Sequence, residues 1–325
     1  MSKIKLIEIH SDLGGRIAGA SLGADAVRLA SYSLPKFANF YERFQIELYT
    51  EIKAPNKFYH ADIKYPLAKR IELIYPILMQ ICDVVSNSVI QNDFTLLISG
   101  DHSTASGTIA GIKQAMPNAR IGIVWIDAHG DVHNPYTSDS GNLHGMPLST
   151  AINDNNLDCR FNEIDNETAE WWEKVQEIGG TKDKINFADV VYVGLRDYEQ
   201  AERYIINKYD CKIFKSFDVH NLGGTEVACQ IGNHLEHCDV ICISLDVDSL
   251  DPSVSTGTGT PFENGLYGYE VKELIKTLIS FEKTKCLEIS EINPILDTNN
   301  KMGKVAFDIL KTACRSVDLK YHHNK

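Results

Sequence analysis

Five side chains of the types that bind metal ions follow two apolar runs of the chain. Asp127, His129 and Asp131 alternate directly after one run, and Asp246 and Asp248 close the other. At the end of a strand, a spacing of two residues places side chains on the same side of the chain. Carboxylates and imidazoles without thiolates suit a pair of hard-to-borderline divalent ions. One such motif is as often a solvated polar loop, but two at the ends of two apolar runs predict a metal site.

Three further polar side chains lie in loops that could face this site. His102 follows a glycine turn and precedes Ser103, which is placed to cap a helix. His144 lies in a polar loop between glycines, where a histidine beside a metal-activated water can carry protons. Glu291 follows the last apolar run and could pair with a cationic substrate. Taken singly, each of these can be explained as an ordinary loop residue, and for His102 alone that explanation is the better one.

The elements that must position these residues alternate between strand and helix along the whole chain. Near-continuous apolar runs separated by amphipathic stretches indicate a parallel sheet covered by helices on both faces. In such sheets ligands bind at the carboxyl ends of the strands, which is where the candidate residues lie. The strands predicted from these runs are Ile4–Ile9, Phe94–Ser99, Ile121–Ile126, Val190–Val193, Ile213–Phe217, Val240–Leu245 and Cys286–Ile289.

Composition excludes several classes of partner and indicates a single domain over residues 1–325. The chain is 43% hydrophobic with a net charge of −12, which argues against nucleic acid as a partner. Its 8 cysteines show no CxxC spacing and read as reduced core residues, so a cytoplasmic protein is expected. No apolar run approaches the ~18 residues of a membrane span, so no membrane partner is expected.

Six motifs, taken in this order and at these intervals, resemble the ureohydrolase family and most of all its bacterial arginase-type members. They are GDHS, DAHxD, SGNLHGMP, SLDVDxLDP, TGTP and EINP, and the resemblance runs from the first strand to about residue 315. Each motif alone is weak to moderate, but their order is specific. The resemblance implies an arginase-like α/β fold, a single doubly wound domain with a mainly parallel sheet of about eight strands. It also implies two divalent ions, Mn²⁺ foremost with Co²⁺ acceptable, since N and O ligands accept both.

The resemblance further implies a role for each metal ligand. One ion would be bound by His102 and Asp131, and the other by His129 and Asp248. Both would be bridged by the remaining two ligands, Asp127 and Asp246. A hydroxide shared by two such ions is a nucleophile at neutral pH and would attack the guanidinium carbon.

Three catalytic roles are implied in the same way. Glu291 would hold the guanidinium through charge-assisted hydrogen bonds. Asp131 would stabilise the tetrahedral intermediate and pass a proton to the leaving amine. His144 would exchange protons with bulk water. The reaction expected is hydrolysis of L-arginine to L-ornithine and urea.

Substrate choice would depend on the far end of the pocket. By the resemblance, Glu199 would face the α-amino group, and hydroxyl, amide and imidazole donors would read the α-carboxylate. The family commonly has Asn where His133 stands, Asp where Glu199 stands and Gly where Ser99 stands, so affinity is less certain than reaction class. The expected substrate-binding residues are His133, Ser138, Ser140, Asn142, Glu199, Thr260 and Glu291.

Four alternatives stay open at this stage. Guanidinobutyrate or agmatine could replace arginine as substrate. A metal-dependent deacetylase shares the general fold but would lack the set of two histidines and four aspartates. A silent regulatory homologue would have been free to lose these ligands. The resemblance also suggests a homo-oligomer, a trimer or hexamer, although no feature of the sequence indicates the interface.

Overall fold

The computed structural model describes residues 4–37 and 39–322, and its centre is one sheet of 8 strands. All neighbouring strands pair in parallel, as the apolar runs predict. The predicted fold class, a doubly wound parallel sheet flanked by helices, is confirmed. The strands are β1 (Ile4–His10), β2 (Ile46–Lys53), β3 (Phe94–Ile98), β4 (Ile121–Ile126), β5 (Val190–Val193), β6 (Lys212–Phe214), β7 (Val240–Asp246) and β8 (Thr284–Ser290).

The strand order divides the sheet into two triplets joined by the last two strands. Across the sheet the order is β2-β1-β3-β8-β7-β4-β5-β6. β3 therefore pairs with β8, and β4 pairs with β7, so the two strands from the end of the chain occupy the centre. The carboxyl ends of β3, β8, β7 and β4 lie side by side, which is the position where a parallel sheet binds ligands.

Helices cover both faces of the sheet and bury their apolar sides against it. The helices are α1 (Gly23–Tyr32), α2 (Phe40–Arg43), α3 (Ile71–Ile90), α4 (Ala105–Ala115), α5 (Asn166–Gln176), α6 (Gln200–Lys208), α7 (Ser216–Leu222), α8 (Gly224–His234), α9 (Gly268–Ser280) and α10 (Lys301–His322). One core cluster contains side chains of α1, α8, α9 and α10, and the other contains side chains of α3, α4, α5 and α6.

Helix α3 corrects the expectation that no apolar stretch approaches the length of a membrane span. It has 20 residues with a mean hydropathy of 1.5, enough by length and composition alone to cross a membrane. Its buried side, which includes Ile74, Ile81 and Val85, belongs to the core cluster on one face of the sheet. A core helix passes the same test because it too is apolar over most of its circumference.

Two strand predictions differ from the structure. The edge strand β2 was not predicted, because it is partly exposed and buries fully only Ile52, so it lacks a continuous apolar run. The predicted strand Ile213–Phe217 ends at Phe214 instead. There Asp218 accepts a hydrogen bond from the backbone N–H of Lys215 at 2.8 Å, and this cap starts α7.

Candidate active site

The candidate metal ligands and Glu291 come from four adjacent strands and meet at the carboxyl ends of these strands. His102 follows β3, Asp127 follows β4 and Asp246 is the last residue of β7. Glu291 follows β8. Because these four strands are neighbours, residues far apart in the sequence are brought to one place by the strand order.

The candidate ligands form two clusters that share Asp127. In one cluster, His102 Nδ1 lies 2.9 Å from Asp131 Oδ2, 3.1 Å from Asp127 Oδ2 and 3.3 Å from Asp246 Oδ2. In the other, His129 Nδ1 lies 3.0 Å from Asp248 Oδ2 and 3.5 Å from Asp127 Oδ1. The two oxygens of Asp127 thus face different histidines, an arrangement that would allow one carboxylate to serve two ions.

The charge and the hydrogen bonding of these clusters fit a pair of divalent ions. Four buried aspartates carry four negative charges in one place, which two divalent cations would balance. His102 Nδ1 and Asp127 Oδ2 are buried and make no hydrogen bond of good geometry in the described structure. Unpaired buried polar atoms are costly, and they are expected where a ligand binds.

The ring of His102 is held so that one nitrogen faces the carboxylates. Its Nε2 lies 2.8 Å from the hydroxyl of Ser244, and its ring stacks on Trp125 with centroids 4.2 Å apart. When Nε2–H donates to Ser244, Nδ1 keeps its lone pair for a metal. Metal-binding histidines are commonly oriented in this way by a second hydrogen bond.

Electrostatic crowding raises the pKa of both a histidine and an aspartate of these clusters. Burial lowers the pKa of His102, but the neighbouring carboxylates of Asp127 and Asp131 more than compensate and raise it well above its usual value. Burial, together with Asp248 and Asp127, raises the pKa of Asp246. Raised pKa values on an acid and a base within a few ångströms of each other are typical of functional sites.

Two of the candidate residues have left-handed backbone conformations. The φ angle is +51° at Asp131 and +63° at Glu291. Aspartate tolerates this region better than most residues, whereas for glutamate it is uncommon. Such strain costs on the order of 1–3 kcal/mol and concentrates at active sites, where the surrounding structure holds it in place.

The buried Glu291 and the half-buried His144 form a pair beside the metal-ligand clusters. The Oε1 atom of Glu291 lies 3.2 Å from His144 Nδ1 and accepts the backbone N–H of His102 at 2.9 Å. Burial lowers the pKa of His144, but Glu291 more than offsets this and raises it. The pair therefore places a proton-carrying imidazole next to a carboxylate at the edge of the cavity.

A cavity of about 140 Å³ opens over these residues. Its wall includes three of the residues predicted to bind substrate, His133, Glu199 and Thr260. His133 Nε2 lies 3.4 Å from Glu199 Oε2, and the hydroxyl of Thr260 donates to Asp248 at 2.9 Å. An imidazole and a carboxylate thus stand together at the wall of the cavity.

A family model for the arginase family matches residues 2–315. The chain belongs to the arginase family. It is 32% identical over 314 residues to a Bacillus caldovelox protein named arginase, covering 95% of this chain and 97% of the relative. This arginase-family chain is accordingly an arginase-type ureohydrolase.

Solved structures agree with this assignment. Entamoeba histolytica arginase in complex with L-ornithine has a TM-score of 0.81 at 26% identity, covering 96% of this chain and 99% of that one. A formimidoylglutamase from Bacillus subtilis has a TM-score of 0.71 at 20% identity, covering 99% and 88%. At that identity it shares only the fold, so the fold of the arginase family does not by itself decide the substrate.

Four of the predicted substrate-binding residues do not line the cavity of this arginase-family structure: Ser138, Ser140, Asn142 and Glu291. The hydroxyl of Ser138 accepts the backbone N–H of Gly141 at 2.9 Å, and that of Ser140 accepts the N–H of Asn142 at 3.2 Å. These hydroxyls stabilise the turns of their own loop. Asn142 is 7% exposed and is likewise outside the cavity wall.

Two acids that the sequence did not single out contact the candidate residues. Asp197 Oδ2 lies 3.6 Å from His129 Nε2, on the side of the ring away from the carboxylate cluster. Glu202 is buried, and its Oε2 lies 3.5 Å from His133 Nε2. Burial lowers the pKa of His133, but Glu202 and Glu199 raise it overall. Isolated acids in a loop and a helix give no sequence signal, because their role depends on which histidine they face.

A larger cavity than this one lies elsewhere among the described residues. It has a volume of about 620 Å³ and is lined by residues at the amino ends of the strands, including Arg120, Phe187 and Tyr209. Size favours this cavity, but chemistry favours the smaller one, because the crowded carboxylates and the strained backbone lie at the carboxyl ends. The smaller cavity is therefore the candidate active site.

Proposed function

We propose that this enzyme hydrolyses L-arginine to L-ornithine and urea with two Mn²⁺ ions. The ligands of these ions would be His102, Asp127, His129, Asp131, Asp246 and Asp248. The observation that carries the proposal is the division of these residues into two clusters that share Asp127 beneath a cavity. When bound, the ions would supply Lewis-acid activation of the attacking water.

Glu291 would bind and orient the guanidinium group. It is buried, and one of its oxygens already contacts His144 and the N–H of His102. A buried carboxylate that accepts from a guanidinium makes a charge-assisted bond with a fixed plane. Glu291 would therefore present the guanidinium carbon to the clusters in one orientation.

Asp131 and His144 would carry the protons of the reaction. Both line the cavity, so both can reach the substrate's reacting end. Asp131 would take a proton from the attacking water and return it to the departing nitrogen. His144 would replace protons from solvent, because it contacts Glu291 on one side and borders the open cavity on the other.

The far end of arginine would be read by the opposite charges at the cavity wall. An α-amino acid carries a carboxylate and an ammonium on one carbon, and His133 and Glu199 offer a cation and an anion 3.4 Å apart. Agmatine lacks the carboxylate and guanidinobutyrate lacks the ammonium, so each would leave one wall group unmatched. Sites built for a polar group can reject analogues without it by ~10⁴-fold.

The test is urea release from L-arginine, agmatine and 4-guanidinobutyrate, each with Mn²⁺ or Co²⁺. We expect arginine to have the highest kcat/KM by a wide margin, and Mn²⁺ loading to approach two ions per chain. Equal kcat/KM for agmatine would refute arginine as the substrate but leave the ureohydrolase assignment intact. A cytoplasmic location and assembly as a trimer or hexamer remain predictions from the sequence.

A further inference from the structure

A second group of metal-type side chains lies beside α1, away from the active-site clusters. Glu8 and His10 are two residues apart on β1, so they share one face of the sheet. Glu51 stands opposite Glu8 in the register of the neighbouring strand β2. One ligand atom from each of the three residues lies within 4.8 Å of the others.

Two atoms of this group are buried without a hydrogen bond. Glu8 is 1% exposed, and its Oε1 makes no hydrogen bond in the described structure. The Nε2 atom of His10 is also buried and makes no hydrogen bond, with Glu8 Oε2 4.0 Å away. Leaving a buried polar atom without a hydrogen bond is destabilising, and more so for a charged group. Two such atoms in the same small group point to a bound species that supplies the missing contacts.

The other atoms of Glu8 and His10 are already held in the way that metal ligands usually are. His10 Nδ1 lies 2.9 Å from the backbone carbonyl of Ser21, which can only accept, so Nδ1 carries the proton. The free Nε2 therefore carries the lone pair. The Oε2 atom of Glu8 accepts from Arg28, which leaves Oε1 available. Metal-binding histidines and carboxylates commonly have such outer partners, which fix the tautomer and the orientation.

A comparison with a similar group shows why an ordinary ion-pair network does not explain this one. Asp189, His237 and Cys238 are also close enough to share an ion. There, however, Arg120 donates to both oxygens of Asp189, and His237 Nε2 lies 2.7 Å from one of them. Those contacts occupy the atoms that a metal would need. At Glu8 Oε1 and His10 Nε2 no hydrogen bond occupies the corresponding atoms. The ion pair of Glu51 is with the exposed Lys53, through Oε2 at 3.0 Å.

We propose that Glu8, His10 and Glu51 bind one divalent transition-metal ion, best matched by Zn²⁺, in addition to the ions of the active site. One imidazole and two carboxylates are a normal zinc ligand set, and the imidazole disfavours Mg²⁺ and Ca²⁺. The side chain of Glu51 is 34% exposed, so solvent can complete the coordination. The ion would tie β1 and the edge strand β2 together where His10 also anchors Ser21 before α1, which is a structural role.

The test is zinc content in a background that weakens the active-site clusters. The parent is the tag-free variant Asp127→Asn/Asp246→Asn, loaded with Zn²⁺, desalted and analysed for metal per chain. Adding His10→Gln should remove one ion per chain, and Glu51→Gln should weaken zinc binding at least tenfold. Zn²⁺ should raise the Tm of the parent more than that of either variant.

The matched control is His60→Gln, which removes an exposed histidine that belongs to none of the described ligand groups. It should leave both the zinc content and the Tm response of the parent unchanged. Circular dichroism checks the fold of each variant, and the exposed Glu51 gives an independent variant if His10→Gln does not fold. Zinc content that is the same in the parent and in a folded His10 or Glu51 variant overturns the proposal.

Discussion

Buried ionisable groups occur at both ends of the strands, but they are paired at the amino ends and crowded at the carboxyl ends. At the amino ends of the strands, Asp189 receives two hydrogen bonds from Arg120 and one ion pair from His237. Buried Lys184 donates there to the carbonyls of Thr150 and Gln176. At the carboxyl ends, four aspartates share two histidines, and buried atoms remain unpaired.

This difference separates charges that stabilise the fold from charges that serve a ligand. A buried ion whose partners belong to the same chain favours the folded state in which those partners meet. A buried carboxylate crowded by like charges lowers stability unless a cation binds, and the chain keeps it for that cation. The comparison predicts that the same substitution should lower activity at the carboxyl ends of the strands and lower stability at the amino ends.

The largest effect is expected from Asp127→Asn. The shared carboxylate faces both histidines, so its loss should reduce metal content at both positions and lower kcat/KM for arginine by ~10³-fold or more. The matched substitution Asp189→Asn at the amino ends of the strands should lower Tm but keep kcat within about twofold. Urea release, metal analysis and thermal melts measure all three quantities. Full metal content in Asp127→Asn would remove the basis of the comparison.

His144→Gln should have the next largest effect, and it should spare the metals. His144 contacts Glu291 at 3.2 Å and none of the six proposed ligands in the recorded ion pairs. Loss of a general acid or base typically lowers kcat by ~10²–10⁴-fold. His220→Gln is the control, since His220 forms a similar pair with Glu270 at 2.8 Å on the far helices. Equal kcat values for the two variants would show that His144 is only a loop residue.

Glu199→Gln should change substrate affinity more than turnover. Glu199 lies at the cavity wall beside His133, distant from the carbon that reacts. Removing a charged hydrogen-bond partner costs about 1.5–3 kcal/mol, so KM for arginine should rise roughly tenfold or more while kcat changes little. KM for 4-guanidinobutyrate, which has no α-amino group, should stay nearly constant. A parallel rise of both KM values would place the α-amino contact elsewhere.

The smallest effect on turnover is expected at Lys184. Burial lowers the pKa of Lys184 to about 7, whereas a lysine in the unfolded chain has a pKa of ~10.4. Between these values the unfolded chain binds the extra proton, so the free energy of unfolding rises with pH. Lys184→Met should flatten that rise and leave kcat unchanged. Denaturant unfolding at pH 7 and pH 9 measures the slope, and an unaltered slope would show that Lys184 is charged when buried.

The central strands could be predicted from the sequence, whereas the edge strand β2 could not. The run that forms β4 is buried at every position, so its apolar pattern is unbroken. β2 is an edge strand in which most side chains reach solvent, and its register with β1 shifts between Leu6 and Ile7. A partly exposed strand of this kind has the composition of a loop. β2 forms because it pairs with β1, and the periodicity of a sequence carries no information about which strands pair.

The site was predictable as far as residue types and motif order define it. The carboxylates and histidines after β3, β4 and β7 could be recognised by their two-residue spacing and by the resemblance of their motifs to the ureohydrolase family. Ser244 lies inside an apolar run, and only the strand order reveals that its hydroxyl faces His102. Ser138 and Ser140 illustrate the opposite limit, since their hydroxyls stabilise the local turns and lie outside the cavity wall.

The order of strands also determines when the active site can exist during synthesis. The triplet β2-β1-β3 and the triplet β4-β5-β6 are complete before the ribosome has made β7 and β8, which pair between them. Until then β3 and β4 each present an open edge, and open edges invite pairing with other chains. Asp246, Asp248 and Glu291 emerge with these last strands. A nascent chain therefore passes through a long aggregation-prone stage in which it cannot assemble both ligand clusters, and chaperone demand should peak there.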